Sequence, residues 1–155
     1  MKPLKITVLA LFMVAANVVC AQGPEAKNAK EKSAIEKLIL SFPGYLKAAD
    51  ISKVLPLFTP DGIIMPNNAP TVKGSEQIKG LLENVFKKMT IDVTYIIDEV
   101  VINGEYAYVR TNSKGNNVVK ANGENMPVNN RELFLVHKDK GEWKITHYMV
   151  NGNHN

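Results

Sequence analysis

The second half of the chain is β-forming almost without a break, and nothing else in the sequence limits the architecture as tightly. The runs Ile91 to Ile102, Glu105 to Val119, Val128 to Lys138 and Glu142 to Asn151 are rich in Val, Ile, Thr, Tyr and Phe, residues that suit a pleated, half-buried surface. Asn103-Gly104 is a strong hairpin signal, and Asp139-Lys140-Gly141 closes the last pair with a slightly longer loop. The polar stretch from Gly115 to Asn130 predicts a long hairpin that is mobile at its tip. Strands linked in this way form an antiparallel sheet, and a sheet with an apolar face needs a cover.

The cover lies upstream. Ile35, Leu38, Ile39, Phe42, Leu46 and Ala49 recur at intervals of three, four and seven, one stripe of a helix that Pro43-Gly44 should kink or break. Asp50 is placed to cap a short second helix carrying Ile51, Val54, Leu55 and Phe58, which Pro60 ends. Ile63-Ile64-Met65 and Thr71-Val72-Lys73 read as short strands around a turn-rich loop. Ser75 is the expected cap of a third helix with the stripe Ile78, Leu81, Leu82, Val85, Phe86 and Met89. Glu76 in its first turn and Lys87-Lys88 in its last complement the helix dipole. Helices first and hairpin-linked strands afterwards predict an α+β domain.

Lys2 and Lys5 precede an apolar run from Ile6 to Val19 that is short for a bilayer span, so residues 1–21 read as an export signal cut after Ala21. A lipid anchor on Cys20 is the alternative, disfavoured by Val19 just before it. The expected destination is the periplasm or the exterior. Cleavage would leave 134 of the 155 residues, and losing Lys2 and Lys5 takes the formal charge from +4 to +2. With no block of Lys or Arg, the footprint of a nucleic-acid or membrane-surface binder is missing. Cys20 is the only cysteine, so the mature chain would have no disulfide, thiol nucleophile or zinc-thiolate site. Residues 22–30 are polar and aperiodic, a leader expected to be disordered; the domain is placed at 31–151, with 152–155 as a tail.

Strict alternation along the last strand puts Trp143, Ile145, His147, Met149 and Asn151 on one face, and Trp143 and Ile145 mark that face as the covered one. His147 would then point inward, where an imidazole can serve as general acid or base near neutral pH. Asp98 and Glu99 are adjacent on a strand and face opposite sides, so they are not a carboxylate pair. Asp61, between Pro60 and Gly62, reads as a turn residue. Arg110 and Arg131, the only arginines, could meet an anion or form surface ion pairs. His137, His147 and His154 show no metal-ligand spacing, and no phosphate loop or serine-hydrolase elbow is present, so neither metal nor cofactor is expected.

Taken together, Phe58-Thr59-Pro60-Asp61-Gly62, Gly74-Ser75-Glu76-Gln77-Ile78 and Gly141 to Met149 resemble the nuclear transport factor 2-like superfamily, which includes SnoaL-like and ketosteroid-isomerase-like proteins. The resemblance runs from Glu31 to Asn151. It implies a cystatin-like roll, a cone-shaped curved antiparallel sheet wrapped around the N-terminal helices with a deep cavity inside, and a homodimer. Members use that cavity as isomerases, cyclases, dehydratases or binding modules. Ketosteroid isomerases carry their enolising aspartate on the first strand just before a proline, and Met65 before Pro66 stands there in this chain. Methionine cannot abstract a proton, so isomerase chemistry would need another carboxylate, such as Glu99 or Glu132, to reach the cavity.

Tyr45, Met65, Tyr95, Met149, Asn151 and, at the mouth, Arg131 are the expected ligand contacts, with His147 as the candidate catalytic group. Three readings follow: a binder of a small apolar or aromatic molecule, a cofactor-independent lyase or isomerase using His147, and a protein-interaction module.

Overall fold

The computed structural model describes residues 24–153. The export segment 1–21, residues 22 and 23, and His154 and Asn155 lie outside the described residues. Helix α1 spans Pro24–Lys47, α2 spans Ile51–Val54 and continues as a 3-10 turn over Leu55–Leu57, and α3 spans Ser75–Lys88. The strands are β1 (Phe58–Met65), β2 (Val72–Lys73), β3 (Met89–Asn103), β4 (Tyr106–Val119), β5 (Asn125–Asp139) and β6 (Glu142–Gly152). No described helix is long and apolar enough to cross a membrane.

Several local expectations need correction. The leader is helical from Pro24, because proline is tolerated in a first turn, where its missing N–H costs nothing. Pro43 does not divide α1, since the buried Phe42 and Leu46 on either side anchor the helix into one core. Asp50 caps α2 as expected, its carboxylate accepting from the Lys53 backbone N–H at 3.2 Å. The cap of α3 is Gly74 and not Ser75. At φ 81° the backbone there favours glycine, and its N–H donates to the Gly62 carbonyl at 2.8 Å. Phe58 belongs to β1, not to the second helix.

The six strands form one curved, unclosed sheet in the order β2-β1-β6-β5-β4-β3. All neighbours are antiparallel except β1 and β6, which run parallel because β1 enters from the helices. The long hairpin expected between Gly115 and Asn130 is ladder almost to its end: β4 and β5 pair as far as Val118 with Asn125. Gly115 lets β4 approach β3 closely, because a Cβ there would collide with the Asp92 carbonyl oxygen. Register shifts between Ile97 and Glu99 on β3, and opposite Leu135 and Val136 on β6, add bulges that bend the strands.

The helices pack into the curve of the sheet, where Ile35, Ile39, Phe42, Ile78, Leu82 and Phe86 join its core residues. Phe42 meets Phe58, Tyr95, Phe134 and Tyr148 edge-on, with ring centroids 5.4 to 6.3 Å apart. Glu31 ties α1 to the last hairpin by accepting from Trp143 Nε1 at 2.7 Å and Lys138 Nζ at 2.6 Å. Beyond Phe42, toward the β4–β5 tip, the filling stops and the sheet curves over open space.

Candidate functional site

Alternation fixes what faces that space. On β5 the inward residues are Glu132, Phe134 and Val136, and on β4 they are Val109, Thr111 and Ser113, all buried. The carboxyl of Glu132, 3% exposed, lies across from two hydroxyls: Thr111 Oγ1 donates to Oε2 at 2.7 Å, and Ser113 Oγ donates to Oε1. Burial pushes its pKa above the ordinary carboxylate value, and the two hydroxyl donors only partly offset that. Close by, the Tyr95 and Tyr148 hydroxyls are 2.9 Å apart, and burial raises both phenol pKa values.

Glu132, Ser113, Tyr95 and Tyr148 form the floor of a cavity of about 590 Å³. Its walls are largely apolar, drawn from Val85, Met89, Ile91, Val93, Val128 and Val150, and Asn67, Asn117, Asn129, Asn130 and Asn153 add amide groups to the lining. The volume falls within the range of small-molecule sites, and apolar walls around a few convergent polar atoms are their usual composition. Among the described residues no cluster of three or more His, Cys, Asp or Glu could hold a metal ion.

The expected inward histidine is on the other side of the sheet. Val136 pairs with Ile145 but Leu135 pairs with His147, so Thr146 is an extra residue that reverses the phase of β6. Past it Tyr148 and Val150 line the cavity, while His147 lies beside Val101, Tyr106, Tyr108 and Leu135 in an outer hollow of about 440 Å³. Its Nδ1 is 3.1 Å from Thr146 Oγ1. Met149, Asn151 and Arg131 follow it to the outer face, where with Asp98 and Arg110 they border a second hollow of about 410 Å³. Met65 pairs with Met149 and shares that face. Tyr45 is half-buried against the core, under the Lys53 ammonium at 5.8 Å, and does not line the cavity. Glu99 is held by Arg110 outside. Of the expected contacts Tyr95 alone lines the inner cavity, and Glu132 is the carboxylate that reaches it.

A model of the SnoaL-like domain matches residues 41–153. The chain belongs to the SnoaL-like domain family. This family lies within the nuclear transport factor 2-like superfamily, and solved structures agree. A ketosteroid isomerase-like protein from Erwinia carotovora atroseptica is 29% identical at a TM-score of 0.77, covering 81% of this chain and 98% of its own. A scytalone dehydratase-like protein from Novosphingobium aromaticivorans is 16% identical at 0.73, covering 84% and 89%. A protein with a cystatin-like fold from Nostoc punctiforme is 17% identical at 0.66, covering 81% and 92%. The last two attest the fold alone. No curated protein matches the chain at a significant level. The SnoaL-like fold is compatible with small-molecule binding and with isomerase or dehydratase activity.

Proposed function

We propose that this SnoaL-like domain binds a small, largely apolar or aromatic molecule in its cone cavity, with a hydroxyl or carbonyl presented to Glu132 and the tyrosine pair. The observation that carries this reading is the buried Glu132 carboxyl at the floor of an open, apolar-walled cavity. A thermal-shift screen against steroid-like, polyketide-like and aromatic compounds tests it. Stabilisation should appear with some of them, fall in Glu132→Gln and persist in His147→Ala; stabilisation lost only with His147 would refute it.

The raised pKa of Glu132 favours a second reading, cofactor-independent proton transfer as in a lyase or isomerase. Ionised Glu132 would take a proton from carbon next to a carbonyl, whose electrons move onto the carbonyl oxygen as an enolate. In the Tyr95–Tyr148 pair one hydroxyl proton is used between the rings, and the other remains free to donate to that oxygen. Returning the proton to a different carbon completes an isomerisation; passing it instead to a departing β-hydroxyl, which leaves as water as the enolate re-forms the carbonyl, completes a dehydration. A carboxyl with a raised pKa is the better base. Deuterium uptake from heavy water into a bound ketone, lost in Glu132→Gln, separates turnover from binding.

Self-association through the outer sheet face and export by residues 1–21 complete the proposal. Ile96, Val101, Tyr106 and Leu135 are 40–63% exposed on that face, an apolar area that a second copy would cover. Native mass spectrometry should give a dimer that Leu135→Glu dissociates, and a wild-type monomer at micromolar concentration would refute this part. N-terminal sequencing of the exported product should begin at Gln22; a lipid-modified Cys20 would indicate the anchored alternative.

A further inference from the structure

The inner face of the sheet is layered along β4. Tyr95, Ser113 and Asn130 are in register across β3, β4 and β5; Val93, Gly115 and Val128 form the next layer; Ile91, Asn117 and Met126 form the one after. Except for Gly115, which contributes no side chain, all of these line the cavity. The order is therefore polar, apolar, then a single polar group among apolar ones.

That last polar group is unsatisfied. Asn117 Oδ1 is buried and has no hydrogen-bond partner, a condition that buried carbonyl oxygens rarely tolerate and that a ligand donor would relieve. Asn117 follows Ser113 by four residues on the same face, which at roughly 3.3 Å per residue sets the two polar levels about 13 Å apart. The intervening wall of Val93 and Val128, with no side chain at Gly115, offers flat apolar surface and nothing to hydrogen-bond.

We infer that Asn117 is the second recognition point of the cavity, which thus selects a rigid, elongated, apolar molecule bearing a polar group at each end, with a hydrogen-bond donor at the end that reaches Asn117. This rests on the binding reading above and adds the ligand's length and its second functional group. A molecule polar at one end only would satisfy Glu132 and leave the Asn117 carbonyl without a partner.

The test uses two rigid fluorescent probes, 4,4′-dihydroxystilbene with a hydroxyl at each end and 4-hydroxystilbene with one, titrated against the purified protein. The diol should bind roughly five- to tenfold more tightly, the worth of one additional hydrogen bond. In Asn117→Leu, or Asn117→Ala if the leucine variant does not fold, the diol's advantage should vanish, the ratio of the two affinities falling to about one. In Glu132→Gln both probes should weaken. Equal affinities in the unsubstituted protein, or an advantage that survives loss of Asn117, would overturn the inference and leave the binding reading standing. Binding of neither probe would overturn both.

Discussion

The hydroxyls of Tyr95 and Tyr148 meet at 2.9 Å inside the cone, joining β3 to β6 across 53 residues of sequence. The two rings also flank Phe42, so the pair connects the core to the cavity floor. Removing one hydroxyl orphans the other. Tyr148→Phe should lower unfolding stability by about 1 kcal/mol, and adding Tyr95→Phe should cost little more, because the interaction is already gone. Urea denaturation of the two single variants and the double variant checks this; strictly additive losses would contradict the coupling.

Glu132 makes stability depend on pH in an uncommon direction. Its pKa is raised by burial above 4.5, so between that ordinary value and the raised one the folded state holds a proton that the unfolded chain has released. Its contribution is fully present below pH 4.5 and is lost as pH rises through the folded value. Melting temperature followed from pH 4 to 8 should show this decline superimposed on the rest, and Glu132→Gln should remove it. An unchanged profile in that variant would contradict the assignment.

Glu31 carries two bonds from the last hairpin while only 17% of its side chain is exposed. Glu31→Ala strands the Trp143 N–H and the Lys138 ammonium, and should destabilise by about 2 kcal/mol, as charge-assisted bonds do. Glu31→Gln should recover part of that loss, measured by the same denaturant titrations. Equal losses in both variants would show that packing of the stem, and not the bonds, is responsible.

At Gly115 β4 lies close against the β3 backbone. Gly115→Ala would drive a methyl into the Asp92 carbonyl, which belongs to backbone and cannot swing aside. A loss of about 2 kcal/mol is expected, together with faster amide exchange around Val93 and Val128, its register partners. An alanine variant as stable as the parent would refute the close approach.

Periodicity was enough for the helices, the hairpins and the α+β layering, because the apolar stripes and Asn103-Gly104 are local signals. The site was less legible for one physical reason. A bulge adds a residue without requiring a glycine or proline to announce it, and the one at Thr146, where the threonine hydroxyl donates to the Leu135 carbonyl at 3.1 Å, reverses every side chain beyond it. Strict alternation therefore sent His147, Met149 and Asn151 inward when Tyr148 and Val150 belong there. Glu132 was nearer to hand. It alternates in phase with Phe134 and Val136, and Thr111 and Ser113 alternate in phase with Val109, so a carboxylate and two hydroxyls sit on faces that otherwise read as core. What β5 alone could not supply was the register that brings Glu132 opposite Thr111.

The central claim, that Glu132 is a buried acid at the floor of a ligand cavity, is open to direct measurement by carbon-13 NMR of the side-chain carboxyls across a pH titration. One glutamate resonance, absent from Glu132→Gln, should titrate with a midpoint clearly above 4.5 and shift when a compound from the thermal screen is added. A Glu132 midpoint at or below the ordinary carboxylate value, insensitive to every stabilising compound, would contradict the account.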